Sequence, residues 1–123
     1  KKILEGEPID VYNNGQLSRD FTYIDDIVEG IVRLLDSTPL NESPYKIYNI
    51  GNGNPIKLTE FINTIEKKLG INAIKNLMPI QQGDVSSTYA DITELKNKIN
   101  FTPNTSIEDG VNKFIDWYLN FYK

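Results

Sequence analysis

The chain has 123 residues, enough for one domain with a core that needs no disulfide or metal staples. Lys and Arg number 13 against 17 Asp and Glu, and a formal charge of −4 argues against nucleic acid and against an anionic membrane surface. Cys and His are both absent, which excludes disulfides, thiolate or Ser-His-Asp catalysis, and Cys- or His-ligated metals within the chain.

No stretch approaches the roughly 20 apolar residues of a membrane span. No signal-peptide pattern opens the chain, so the expectation is a soluble, cytoplasmic protein. Lys1-Lys2-Ile3-Leu4-Glu5 carries helix formers, Gly6 suits a left-handed stop, and Pro8 follows. A helix with an end but no start reads as the continuation of a segment upstream. Pro8–Tyr12 alternates like a short strand, and Asn13-Asn14-Gly15-Gln16 is a turn. A long helix follows Phe21, with Thr22 and Asp25 as a capping pair and Pro39 beyond its end. Ile24, Ile27, Val28, Ile31, Val32, Leu34 and Leu35 fall on one broad apolar stripe.

Tyr45–Ile50 is β-rich and ends at Gly51, which predicts a second strand. Thr59–Leu69 reads as a helix with Leu58, Phe61, Ile62, Ile65 and Leu69 facing inward. A third strand falls within Ala73–Ile80. A short helix follows, capped by Asp91, with Ile92, Leu95 and Ile99 inside. Ser106 and Asp109 cap the last helix, whose buried stripe is Ile107, Val111, Phe114, Ile115, Tyr118 and Tyr122. Gly110 inside that helix should cost about 1 kcal/mol relative to Ala. The last helix runs almost to the final residue, as at a natural C-terminus. Strands alternating with helices give an α/β class: a small sheet of short strands packed with about four helices.

Gly51-Asn52-Gly53-Asn54-Pro55 between a strand and a helix imitates a dinucleotide fingerprint. The third glycine position holds Ile56, and Pro55 lacks an amide donor, so the segment reads as an ordinary turn. No Walker sequence occurs.

Two polar clusters carry possible chemistry. Arg19 lies in a polar loop before a helix start, where a guanidinium and a helix N-terminus together suit a phosphate or diphosphate. The alternative is a surface pair with Asp20 or Asp25. Gln81-Gln82-Gly83-Asp84 follows an apolar strand; Gly83 permits close backbone approach and Asp84 can accept from a ribose diol, or the segment is a plain turn. Tyr12 and Asn13, ending the first strand, offer a stacking face and amide edges to a flat base, or simple edge packing.

Arg19-Asp20-Phe21-Thr22-Tyr23-Ile24-Asp25-Asp26 resembles the RDFTYVDD signature of extended short-chain dehydrogenase/reductase enzymes acting on nucleotide sugars. Tyr45–Gly51 (YKIYNIG), and Gln81–Val85 with Thr88-Tyr89-Ala90-Asp91, resemble two further segments of that family. The likeness is strongest to UDP-glucuronate 4-epimerases and extends from Lys1 to Lys123. It implies that Arg19 contacts the diphosphate of a UDP-sugar, that Val11, Tyr12 and Asn13 line the uracil pocket, and that Asp84 binds the ribose. Several relatives carry a phosphate-gripping arginine where this chain has Gln81. Gln81 is therefore a candidate UDP contact that brings no charge. Gln82 stands where the family has Pro.

The resemblance also implies what the chain lacks. The family holds NAD in an N-terminal Rossmann region and transfers protons through a Tyr-x-x-x-Lys pair. No tyrosine here has a lysine four residues on. Residues 1–123 are thus expected to form one C-terminal nucleotide-sugar-binding domain, inactive alone, without cofactor or metal of its own. Its partners would be a UDP-sugar and the missing Rossmann region. The parent is expected to be a homodimeric, NAD-dependent 4-epimerase of UDP-glucuronate or a UDP-N-acetylhexosamine, working by transient oxidation at the sugar 4-position in polysaccharide synthesis. A stand-alone UDP-sugar-binding or subunit-pairing module, and a 4,6-dehydratase or decarboxylase, are the competing readings. A severed fragment would also leave apolar faces bare and self-associate.

Overall fold

The computed structural model describes residues 1–37, 39 and 44–122. α1, Lys2–Glu5, stops at Gly6. β1, Ile9–Val11, leads into a 3-10 turn over Tyr12–Gly15 and then β2, Ser18–Arg19. α2 covers Ile24–Leu35, β3 Ile56–Lys57, and α3 Leu58–Leu69. β4 is Lys75–Leu77, α4 Thr93–Ile99 and α5 Ile107–Phe121. The α/β class stands, but the expected single sheet is two separate two-stranded pairs. β1 pairs with β4 in parallel, Ile9 opposite Lys75 and Val11 opposite Leu77. β2 pairs with β3 antiparallel, Ser18 opposite Lys57 and Arg19 opposite Ile56.

The core forms where amphipathic helix faces meet these short strands. Val11, Leu17, Ile62, Leu95, Phe101, Val111 and Ile115 are its buried apolar side chains, and Leu95 is fully enclosed. α3 packs on α5. Ser106 starts α5 as expected, accepting from Asp109 N–H at 3.0 Å. Gly110 is placed there by packing: a Cβ would sit 3.3 Å from Cδ2 of Tyr23. Phe114 and Tyr122, expected inside, are largely exposed, because α5 is covered on one side only. Gly15 turns the chain after β1 with φ of +79°, and a Cβ there would meet Thr59 Cγ2 at 2.5 Å. Left-handed backbone and close packing both select glycine at that corner.

Two further expectations are corrected, the Thr22 cap and the 45–50 strand. Thr22 does not cap α2. Tyr23 is the capping residue and makes no side-chain cap bond, while Thr22 Oγ1 accepts from Asn52 N–H at 3.1 Å. The α2 stripe is apolar but lies outside: Ile24, Val28, Ile31, Val32 and Leu35 are exposed, Leu35 by 72%. The buried face of α2 holds Asp26 and Gly30, with Ile50 and Phe101 packed at Gly30 and Thr105 N–H donating to Asp26 Oδ2 at 3.0 Å. Periodicity registers an apolar face, but not what covers it.

Residues 45–50 form no strand, because a strand exists only through its ladder and no partner lies alongside among the described residues. Tyr45 and Ile47 are exposed, Ile47 by 78%. Side chains alone tie the segment down. Lys46 Nζ donates to Glu94 Oε1 at 2.8 Å, and Asn49 Nδ2 to the Asp91 carbonyl at 3.2 Å.

Candidate functional site

The parallel pair positions the polar clusters. β1 and β4 run the same way, so the segments leaving their carboxyl ends depart from one edge, the edge where open α/β sheets place ligands. Tyr12–Gly15 leaves β1 and Gln81–Asp84 follows β4. Met78 holds them together: its N–H donates to the Val11 carbonyl at 3.0 Å, and its carbonyl accepts from Asn14 N–H at 3.1 Å. Asn13 and Asn14 both sit at positive φ, which their short side chains tolerate.

β2 brings the third segment. Ser18 N–H donates to the Ser86 carbonyl at 2.9 Å, and Thr88 N–H donates to the Ser18 carbonyl at 3.2 Å. The arm between Asp84 and Asp91 is thereby laid along β2. Asp84 N–H closes its turn on the Gln81 carbonyl at 3.1 Å, and Gly83 takes φ of +85°.

The two motifs then meet side chain to side chain. Arg19 Nη2 donates to Asp84 Oδ1 at 2.5 Å, and Arg19 Nη1 donates to the Ser18 carbonyl at 2.8 Å. The two side chains are about a quarter exposed. Asp84 Oδ1 also accepts from Val85 N–H at 2.9 Å. Two N–H groups of the guanidinium are engaged, which leaves further donors of its planar fork for an anion. Arg19 pairs with neither Asp20 nor Asp25; Asp25 lies 3.6 Å from Lys113 Nζ. The α2 N-terminus carries Asp25 and Asp26 in its first turn, so its dipole is already answered by carboxylates. The feature here that suits an anion is the guanidinium, not the helix.

The other candidates separate. Val11 turns its side chain into the core at 1% exposure, which leaves Tyr12 and Asn13, both half-buried, as the accessible pair at that strand end. Gln81 is exposed, and its carbonyl serves the turn. Asp20 is the residue that sequence reasoning missed. Its Oδ2 accepts from Gly53 N–H and Ala90 N–H, each at 3.0 Å.

The Gly51–Pro55 turn does not fit a dinucleotide. Asn52 N–H is spent on Thr22, Gly53 N–H on Asp20, and Pro55 has none. Among the described residues no group of three or more Asp, Glu, His or Cys is placed to hold a metal. A separate cavity of about 310 Å³ between α2, α3 and α5 is lined largely by apolar side chains, with Phe21 stacked on Phe61 at 4.2 Å. No helix among the described residues is long and apolar enough to cross a membrane.

Residues 1–51 match the model of the NAD dependent epimerase/dehydratase family. Protein CapI of Staphylococcus aureus is 50% identical across all of this chain, which covers 41% of that relative. A probable UDP-glucuronate 4-epimerase of Rhizobium meliloti is 42% identical over 98% of this chain and 40% of its own length. The chain is thus similar to members of this family from end to end.

The solved epimerase structures agree in fold. UDP-glucuronic acid 4-epimerase from Bacillus cereus, in complex with UDP-glucuronic acid and NAD, superposes with a TM-score of 0.86 at 30% identity. The match covers 98% of this chain and 38% of that one. The chain spans about 40% of the length of the relatives it matches and corresponds to a C-terminal portion of the epimerase fold.

Proposed function

We propose that this chain is the UDP-sugar-binding part of an NAD-dependent UDP-sugar 4-epimerase of the glucuronate type. The carrying observation is the bond between Arg19 and Asp84, which joins two motif segments 65 positions apart. In this reading Arg19 grips the diphosphate, Asp84 turns to the ribose diol, and Tyr12 and Asn13 take the base beside the Val11 backbone. Gln81 adds a polar, uncharged contact at the same edge. The relatives support the substrate class, since one is named a UDP-glucuronate 4-epimerase and the Bacillus cereus enzyme is bound to UDP-glucuronic acid and NAD.

Residues 1–123 are one C-terminal binding domain in this proposal. NAD and the proton-transfer pair belong to a Rossmann region of the same polypeptide, and the chain alone is inactive. The exposed α2 stripe and the 44–50 segment support that division, because together they offer an apolar face and a β-rich segment with no ladder partner among the described residues. The domain's own contribution is positional. Binding energy from the nucleotide, remote from the reacting carbon, orients the sugar. We place the whole enzyme in the cytoplasm, as a homodimer serving polysaccharide synthesis.

Product analysis of the full-length protein with UDP-glucuronate and NAD is the test. The expected product is the 4-epimer, with no loss of water or carbon dioxide. Release of either assigns a dehydratase or decarboxylase instead. Turnover by the 123-residue chain alone would overturn its assignment as a binding part.

A further inference from the structure

Asp20 sits beside the diphosphate-binding candidate with the wrong charge for an anion site. A carboxylate adjacent to Arg19 opposes a diphosphate, yet the guanidinium bonds Asp84 and leaves Asp20 alone. The charge of Asp20 is turned onto backbone N–H groups instead, those of Gly53 and Ala90 at 3.0 Å each. Its own N–H donates to Thr88 Oγ1 at 3.2 Å. One residue therefore joins three segments: the end of β2, the Gly51–Gly53 turn and the arm that carries Asp84.

The packing around this junction leaves no slack. A Cβ on Gly51 would lie 2.4 Å from Ala90 Cβ and 3.1 Å from Asp20 Oδ2. The second carboxylate oxygen, Oδ1, is buried and has no hydrogen-bond partner. A buried, unpartnered charged oxygen is unfavourable in itself, so the two bonds made by Oδ2 are what hold the group in place. The arm from Asp84 to Asp91 has no helix or regular ladder of its own; an isolated bridge to Ser18, the Asp20 bonds, the Arg19–Asp84 pair and the bond from Asn49 Nδ2 to the Asp91 carbonyl hold it.

We infer that Asp20 is a positioning residue for nucleotide binding. It clasps the glycine turn and Ala90 so that its neighbour Arg19 and the arm-borne Asp84 face one ligand. This rests on the reading of Arg19 and Asp84 as UDP contacts, and the experiment separates the two.

UDP titration calorimetry on the full-length protein, with steady-state kinetics on the UDP-sugar, provides that separation. Asp20→Ala loses both bonds and should weaken UDP binding by about 10-fold or more. Asp20→Asn still offers one carbonyl oxygen to both N–H groups and should lose less than about 3-fold. Gly51→Ala alters no ligand group, yet should weaken UDP binding several-fold by wedging Ala90 away. Adding Ala90→Gly to that variant moves the methyl out of the clash and should restore part of the loss. The lesion should appear in KM, whereas a merely misfolded fraction lowers kcat at unchanged KM. If the parent protein does not bind UDP, the nucleotide reading fails and takes this inference with it. If the parent binds while Asp20→Ala and Gly51→Ala stay within about twofold, Asp20 has no positioning role and the nucleotide reading stands. Equal losses in Asp20→Asn and Asp20→Ala would assign the effect to charge and overturn the clasp. Should Asp20→Ala not fold, Asp20→Asn and the Gly51–Ala90 exchange still decide.

Discussion

Arg19 Nη2 meets Asp84 Oδ1 at 2.5 Å, although 65 positions separate them in the chain. The bond fixes the separation of the two groups before any ligand arrives. Ion pairs that keep contact with water couple by about 0.2–1 kcal/mol. A double-mutant cycle with Arg19→Ala and Asp84→Ala, read by urea unfolding, should return a coupling in that range. It should shrink in 1 M salt, where the Debye length is about 3 Å. Strict additivity at low salt would mean that the pair adds nothing to stability.

Arg19 should matter more to ligand than to fold. In the full-length enzyme Arg19→Ala should lower kcat/KM for the UDP-sugar by about 10- to 100-fold, the loss of a charge-assisted bond of about 1.5–3 kcal/mol. Arg19→Lys should recover only part of it, because an ammonium keeps the charge and loses the planar fork. Unaltered kinetics in Arg19→Ala would sink the assignment.

Glu66 gives the protein an acid-sensitive tie. Its Oε1 accepts from Lys75 Nζ at 2.6 Å and from Ala73 N–H at 2.7 Å, fastening α3 to the start of β4. The hydrogen bond to Lys75 is the main cause that holds the Glu66 carboxyl below its usual value, with burial opposing. A folded pKa below the unfolded one adds stability in full above the unfolded value, about 4.3. That stability is lost as pH falls through the folded value. Glu66→Gln should therefore be less stable than the parent at pH 7, and the gap should close on acidification below about pH 4. Thermal melts across pH 3–7 measure it; a gap independent of pH would remove Glu66 from the account.

The bare faces predict behaviour of the isolated 123-residue chain. The exposed apolar face of α2, beside an extended segment with no ladder partner among the described residues, is a template for association. Light scattering should show concentration-dependent self-association. Replacing Val28 and Val32 with Lys should suppress it. A strictly monomeric parent chain at millimolar concentration would contradict this.

The sequence made the helices legible because their apolar residues repeat at helical spacing, and α1 and α3 stop at glycines. α3 and α5 appear almost as expected. The exposure of α2 was illegible for the opposite reason: Ile24, Val28 and Val32 mark a face, and no described residue covers it. The same applies to Tyr45–Ile50, whose composition favours a strand but whose ladder needs a neighbour. Arg19 and Asp84 could be named from their motifs, but not their contact, which depends on how β2 meets the arm. Asp20 left no signal of its own, because acceptors for backbone N–H groups have no characteristic spacing. The tight pair Gly51 and Gly53 was the trace it left, and that pair reads equally well as an ordinary turn.

The register of Ile9 with Lys75 and Val11 with Leu77 carries a kinetic implication. Parallel ladders between distant stretches require a large loop to close before any contact repays that loss of freedom. The helices are local and can form early, whereas the edge that gathers Tyr12, Arg19 and Asp84 must wait for stretches distant in sequence to find each other. A newly made molecule thus acquires most of its helical content before it acquires the site proposed to hold a nucleotide.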